Sequence, residues 1–303
     1  MPLTLEQCKS RSILRVLAGS HIHGLNVPSK GCYDHGLVPC DKCTGEKSAV
    51  IGSDRDEEAI VVEPLSEAWH LGKPWEDFVK ESPELDTKFF SLRKWCSMAV
   101  RGNPNFLLML FAPESHVLSC NALGAQLREM REAFISKQAI KSHLGYMQGQ
   151  RTRMLNQIAC HEEVGKNGGH GKPRHDLCEK YGYDTKFAMH LLRLGCQGAE
   201  LATSGRITLP MVDTARHALL DVRAGKLSLS QVLEWADDLE GRMKTAFDTC
   251  SLPDQPNIPV VEEWMQRVYI RAWSADRKMQ DILEDSTIFA GALMHGGTEG
   301  TVQ

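Results

Sequence analysis

LAGSHIHGL at residues 17–25, together with SDRDEEAI at residues 53–60, decides how this chain is read. Ile13 to Ala18 reads as a buried strand that enters a tight turn at Gly19-Ser20. Glycine lets a phosphate approach the backbone N–H groups of such a turn, and serine adds a hydroxyl donor. Taken alone, the pair carries little signal and reads as an ordinary strand-to-helix turn. In the second run Asp54 and Asp56 stand one residue apart. Alternate residues of an extended strand share a face, so both carboxylates point the same way. Two carboxylates on one face repel unless a cation sits between them, and hard Mg²⁺ prefers carboxylate oxygens. A phosphate turn beside a carboxylate pair implies a triphosphate site.

The 303 residues are 42% hydrophobic and 24% charged, the balance of a globular protein. No apolar run approaches the roughly 18 residues of a membrane-spanning helix. The opening residues MPLTLEQCKSRS lack the apolar core of a secretory signal, so the ten cysteines read as reduced thiols and a cytoplasmic location is expected. A net charge of −4 excludes a global basic footprint, so any contact with nucleic acid must be local.

Between the two runs, residues 26–52 are rich in Pro, Gly, Cys, Ser and Lys and read as an inserted loop. Cys32 and His35 have Cys-x-x-His spacing, and Cys40 and Cys43 have Cys-x-x-Cys spacing. Two close pairs of this kind suit a structural Zn²⁺, and a loop of reduced thiols with a solvated histidine is the alternative.

Downstream, Ala59 to Val62 continues as a buried strand, residues 66–83 read as a loop, and Leu85 to Ser91 reads as a short strand carrying Asp86. Leu92, Trp95, Met98 and Ala99 fall on one helical face, and Gly102-Asn103-Pro104 ends that helix. Phe106 to Phe111 is an apolar core run. From Leu118 to about Ala159 the pattern is mainly helical. There Arg128, Arg131, Lys137, Lys141, Arg151 and Arg153 face only Glu129 and Glu132 between residues 126 and 153. That excess is either a solvated helix face or a surface for the phosphates of a nucleotide or RNA. Asp184 is expected to cap a strong helix through Leu201, and Ser228 with Gln231 to form a capping box for another through Phe247. A last amphipathic helix is expected from Val260 to about Leu283. The fold class is therefore α+β: a small mixed sheet followed by a mainly helical region. The expected division is a catalytic core at 1–116 with the inserted loop 26–52, a helical domain at 117–290 and a disordered tail at 291–303.

Gly19-Ser20, Ser53-Asp54-Arg55-Asp56 and the later Asp86 together resemble the DNA polymerase β superfamily of nucleotidyltransferases. Within it the chain looks most like the YcgL-type nucleotidyltransferases of bacteria and phages, a group associated with RNA repair. The likeness extends through FFSLRKWCSMAVRGNPNFLLMLFAPE at 89–114, AFISKQAIKSHLGYMQGQ at 133–150 and YGYDTKFAMHLLRL at 181–194. The chain departs from the family where the insertion separates Gly-Ser from Asp-x-Asp.

The resemblance implies transfer of an NMP from an NTP to an acceptor hydroxyl, with an RNA end favoured. It implies that Asp54, Asp56 and Asp86 are catalytic and hold Mg²⁺ (or Mn²⁺). It also implies that Gly19 and Ser20 hold the outer phosphates. Arg93, Lys141, Lys186 and Arg193 are candidate nucleotide contacts, with Lys186 foremost because it lies in the YDTK motif. Asp184 and His190 in the same motif are equally structural. The alternatives are a nucleotide- or RNA-binding module of the same fold without turnover, and a zinc-stabilised interaction protein.

Overall fold

Three strands bring the two diagnostic runs together. β1 (Ser12–Ala18) pairs antiparallel with β2 (Asp56–Val61), and β2 pairs in parallel with β4 (Asp86–Ser91). Their register sets residues side by side in rungs: Leu14, Ile60 and Phe90; then Val16, Glu58 and Lys88; then Ala18, Asp56 and Asp86. All three rungs lie on one face of the sheet, because each is two residues from the next. That face is apolar at one end, carboxylate-bearing at the other. The opposite face buries Ala59, Val61 and Phe89 against Leu3 and Cys8, where α1 (Leu5–Ser10) covers it. In this computed structural model the described residues are 3–25, 56–69, 71–82, 85–164 and 175–276. Asp54, the Cys32, His35, Cys40 and Cys43 group, and the tail at 291–303 lie outside them.

Two further strands complete a mixed five-stranded sheet of order β3-β4-β2-β1-β5. Neither was legible in the sequence. β3 (Asp77–Lys80) lies within the expected loop at 66–83, as does most of α3 (Leu65–Ala68). β5 (Val117–Cys120) lies where helix was expected to begin, and it is sheet just past the expected boundary at 116. Both are four-residue edge strands that bury little, so the alternation by which a strand is read has almost no length to show itself.

The helices follow the expected pattern more closely. α4 (Leu92–Val100) buries Leu92, Trp95, Cys96 and Ala99. Trp95 stacks edge-on against Phe134 at 5.5 Å, and its indole N–H donates to Met109 Sδ at 3.1 Å. α5 (Pro104–Leu107) and the 3₁₀ turn Leu108–Phe111 complete this core under the sheet, with α6 (Ala122–Glu129) against β1. The chain then becomes helical throughout: α7 (Lys137–Val164), α8 (His175–Tyr181), α9 (Thr185–Ser204), α10 (Asp213–Arg223), α11 (Leu229–Thr249) and α12 (Ile258–Ser274). Both expected caps are present. Asp184 accepts from the N–H groups of Lys186 and Phe187, and Ser228 with Gln231 forms the capping box. α12 returns to the first core through Val261, Trp264 and Val268.

α9 is the axis of the second core, gripped by α7 and α11. Gly195 and Gly198 make the grip close. A Cβ at Gly195 would stand 2.8 Å from Leu239 Cδ1, and one at Gly198 would stand 2.9 Å from His143 Cβ. His143 is fully buried there and donates from Nδ1 to the Ala139 carbonyl at 2.8 Å. Burial, with Arg193 adding to it, pulls its pKa down to about 4 against the opposing effect of that hydrogen bond. The ring is thus neutral in the fold, while the unfolded chain takes up a proton below about pH 6.5. Stability from this group is complete above that pH and is lost as pH falls towards 4. His143→Asn should therefore lessen the acid loss of stability, by up to about 3 kcal/mol. Urea midpoints at pH 7 and pH 4.5 check this, and equal losses in both proteins would contradict it.

Candidate active site

The carboxylate end of the sheet face opens into a cavity of about 300 Å³ between β2 and α9. Its corner is the turn at the end of β1. Gly19 has φ +61° and begins the short helix α2 (Gly19–Ile22). A Cβ at Gly19 would overlap Asp56 Oδ2, so the missing side chain is what lets the carboxylate lie against the turn. Ser20 lines the same corner.

The sheet side carries Asp56, Glu58 and Lys88. Burial raises the pKa of Glu58 to about 7, with Asp56 adding to the rise and Lys88 opposing it. Asp86 stands beside Asp56 in the same rung, and its Oδ1 accepts from Ser82 N–H at 3.0 Å. It does not belong to the cavity wall.

The helix side is basic. Lys186, His190 and Arg193 follow one another at i, i+4 and i+7 on α9 and so share a face. Arg193 is only 6% exposed. Its Nη1 donates to His23 Nε2 at 2.7 Å and to Gln197 Oε1 at 3.1 Å, and its Nε has no partner among the described residues. Burial lowers its pKa to about 10, which leaves it charged at neutral pH. The same burial, then Arg193 and His190, holds His23 well below the ordinary histidine range, so that ring is neutral. A buried cation whose hydrogen-bond partners, His23 and Gln197, are neutral is costly unless an anion completes it.

Of the expected site residues, the fold brings Gly19, Ser20, Asp56 and Lys186 to one cavity. Arg93 does not line it. The Arg93 backbone N–H donates to Tyr269 Oη at 3.0 Å. Lys141 does not line it either, because α7 carries its ammonium over the Phe247 ring at 5.0 Å. Glu58, Lys88, His23, Asn105 and Arg223 join the wall without having been singled out. Continuing the alternation from Asp56 and from Asp86 by one step would have found Glu58 and Lys88. No sequence signal pointed to His23.

The basic stretch at 126–153 resolves into internal contacts. Arg128 binds Glu114 and the Ala112 carbonyl, Arg131 lies over Phe111, Lys137 pairs with Asp254, and Arg151 pairs with Asp237. With Lys141 over Phe247, Arg153 is the member of the stretch left without such a partner among the described residues.

Residues 47–267 match the model of a family described as "RNA repair pathway DNA polymerase beta family". A search of curated proteins gives no match. Among solved structures, a nucleotidyltransferase-like protein from Exiguobacterium sibiricum 255-15 aligns at 10% identity with a TM-score of 0.28, covering 79% of this chain and 69% of that one.

Proposed function

Because the chain belongs to the RNA repair pathway DNA polymerase beta family, we propose that it transfers a nucleoside monophosphate from an NTP to an acceptor hydroxyl, with an RNA end as acceptor. The observation that carries this reading is a strand face bearing Asp56 and Glu58, with Lys88 beside them, set across one cavity from a basic helix face, with the Gly19-Ser20 turn at the corner. A polyanion fits between the two faces if cations accompany it on the acidic side. The donors there suit Mg²⁺ or Mn²⁺: Asp56 and Asp86 stand side by side in one rung of the sheet and offer carboxylate oxygens. Among the described residues no larger group of metal donors forms. Asp54, outside them, would be the third ligand. Bound there, divalent ions would offset phosphate charge and acidify the acceptor hydroxyl.

The chain's own part is positioning. Gly19 leaves room for the Asp56 carboxylate, and the turn with the Ser20 hydroxyl would hold the outer phosphates. Lys186 and Arg193 would balance the charge that gathers on the leaving pyrophosphate. Arg193 is already fixed by His23 and Gln197, so little reorganisation is needed when the phosphates arrive. The acceptor oxygen then bonds to the α-phosphorus while the bond to the β-phosphate oxygen breaks.

Arg193→Met tests the basic wall separately from the fold. Removing a buried charge without a carboxylate partner relieves its desolvation, while His23 Nε2 and Gln197 Oε1 lose their donor, so thermal stability should change by no more than about 1–3 kcal/mol. Binding of NTP should weaken at least about tenfold, the usual size of a charge-assisted contact. Unchanged NTP affinity would remove Arg193 from the site. The function itself is tested by supplying α-labelled NTP, Mg²⁺ and RNA with a free or a blocked 3′-hydroxyl. Label should join only the free end, and no label on either would count against the reading.

A further inference from the structure

A second hollow, of about 710 Å³, adjoins the cavity and shares Asn105, Lys186, His190 and Arg193 with it. Its other wall is α7, and the residues there are of a different kind. Tyr146 is 40% exposed, and its hydroxyl accepts from Asn103 Nδ2 at 2.6 Å. The ring is thus tethered at one end while much of it stays open. Gly145 and Gly149 flank it on the same helix, and a Cβ at either would meet nothing within 4 Å. Those two positions leave a clear space beside the ring, with Phe187 and Leu194 as apolar neighbours. Arg153, without an ion-pair or hydrogen-bond partner among the described residues, lies two helical turns beyond Tyr146 on α7 and also lines the hollow.

An exposed, tethered aromatic beside a helix cleared of side chains is poorly explained by packing alone, since much of its ring stays open. A flat π-face can fill such a space, and cations at both ends suit phosphates on either side of it. We infer that this hollow is a nucleobase site, in which a base stacks on Tyr146 with its phosphates directed to Lys186 and Arg193 on one side or Arg153 on the other. The inference rests on the proposed nucleotidyl transfer. The base belongs either to the incoming NTP or to the terminal nucleotide of the acceptor. Both have the same stacking chemistry, and binding data separate them.

The experiment compares wild type, Tyr146→Ala and Tyr146→Phe. Each is titrated with NTP, inorganic tripolyphosphate and a short single-stranded RNA in Mg²⁺. Loss of stacking should weaken the affected ligand by roughly 5- to 150-fold in Tyr146→Ala. Tripolyphosphate, which has no base, should bind all three proteins equally. Tyr146→Phe keeps the ring but loses the hydrogen bond from Asn103, so it should stay within about twofold of wild type. That variant separates stacking from any disturbance of the fold. Weakening of NTP alone assigns the base to the incoming nucleotide, and weakening of RNA alone assigns it to the acceptor. Unchanged binding of both overturns the inference while leaving nucleotidyl transfer intact. Equal loss in Tyr146→Phe and Tyr146→Ala also overturns it. If wild type binds none of the three ligands, the proposed function falls and this site falls with it.

Discussion

Asp56→Asn is expected to retain the fold and lose at least about 10²-fold in nucleotide transfer. Loss of a group that merely orients a metal ligand already reaches 10- to 100-fold, and Asp56 is proposed as a ligand itself. The amide has nearly the same shape, so it still fits against Gly19. The substitution also removes a negative charge that raises the pKa of neighbouring Glu58, so it relieves repulsion in the folded state. Transfer of labelled NMP and a thermal melt, run on the same preparation, check both halves. Activity within a few-fold of wild type would show that this carboxylate holds nothing essential.

Gly19→Ala should be nearly as damaging through a different cause. The added methyl would occupy the space of Asp56 Oδ2, and φ +61° is a conformation that L-residues adopt with strain. The strain alone costs about 1–2 kcal/mol. Displacement of the Asp56 carboxylate should remove activity by about the same 10²-fold as its neutralisation. Gly205→Ala is the control. Gly205 caps α9 at φ +67°, and its Cβ would reach nothing closer than Leu252 Cδ2 at 3.4 Å. It should show a similar loss of stability with transfer unchanged. If both variants lose stability alike and both keep activity, the contact between Gly19 and Asp56 has no catalytic meaning.

How far the sequence could be read depended on how local each signal was. The strand at Ala59–Val62 and the helices capped by Asp184 and Ser228 were legible because pattern and cap lie within a few residues of each other. The edge strands β3 and β5 were not, since four residues with little burial carry no period. The placement of Asp86 beside Asp56 came from resemblance, as no local pattern links strands 30 residues apart. The cations were the hardest to read. Arg193 and Arg93 look alike in sequence, yet Arg193 is buried on the cavity wall and Arg93 lies away from it. The basic stretch at 126–153 resembled a phosphate surface because its partners Asp237 and Asp254 lie far along the chain and meet it only through packing of α7. Among the described residues no helix is long and apolar enough to cross a membrane.

In the proposed reaction an NTP is cleaved between its α- and β-phosphates while the NMP is joined to an acceptor. The most direct measurement is the ratio of pyrophosphate released to labelled NMP incorporated, in wild type and in Asp56→Asn, with Mg²⁺ and RNA bearing a free 3′-hydroxyl. Wild type should give equimolar pyrophosphate and label, and the variant neither. An NTP that binds to wild type but yields no pyrophosphate, or pyrophosphate formed equally by the variant, would rule that reaction out.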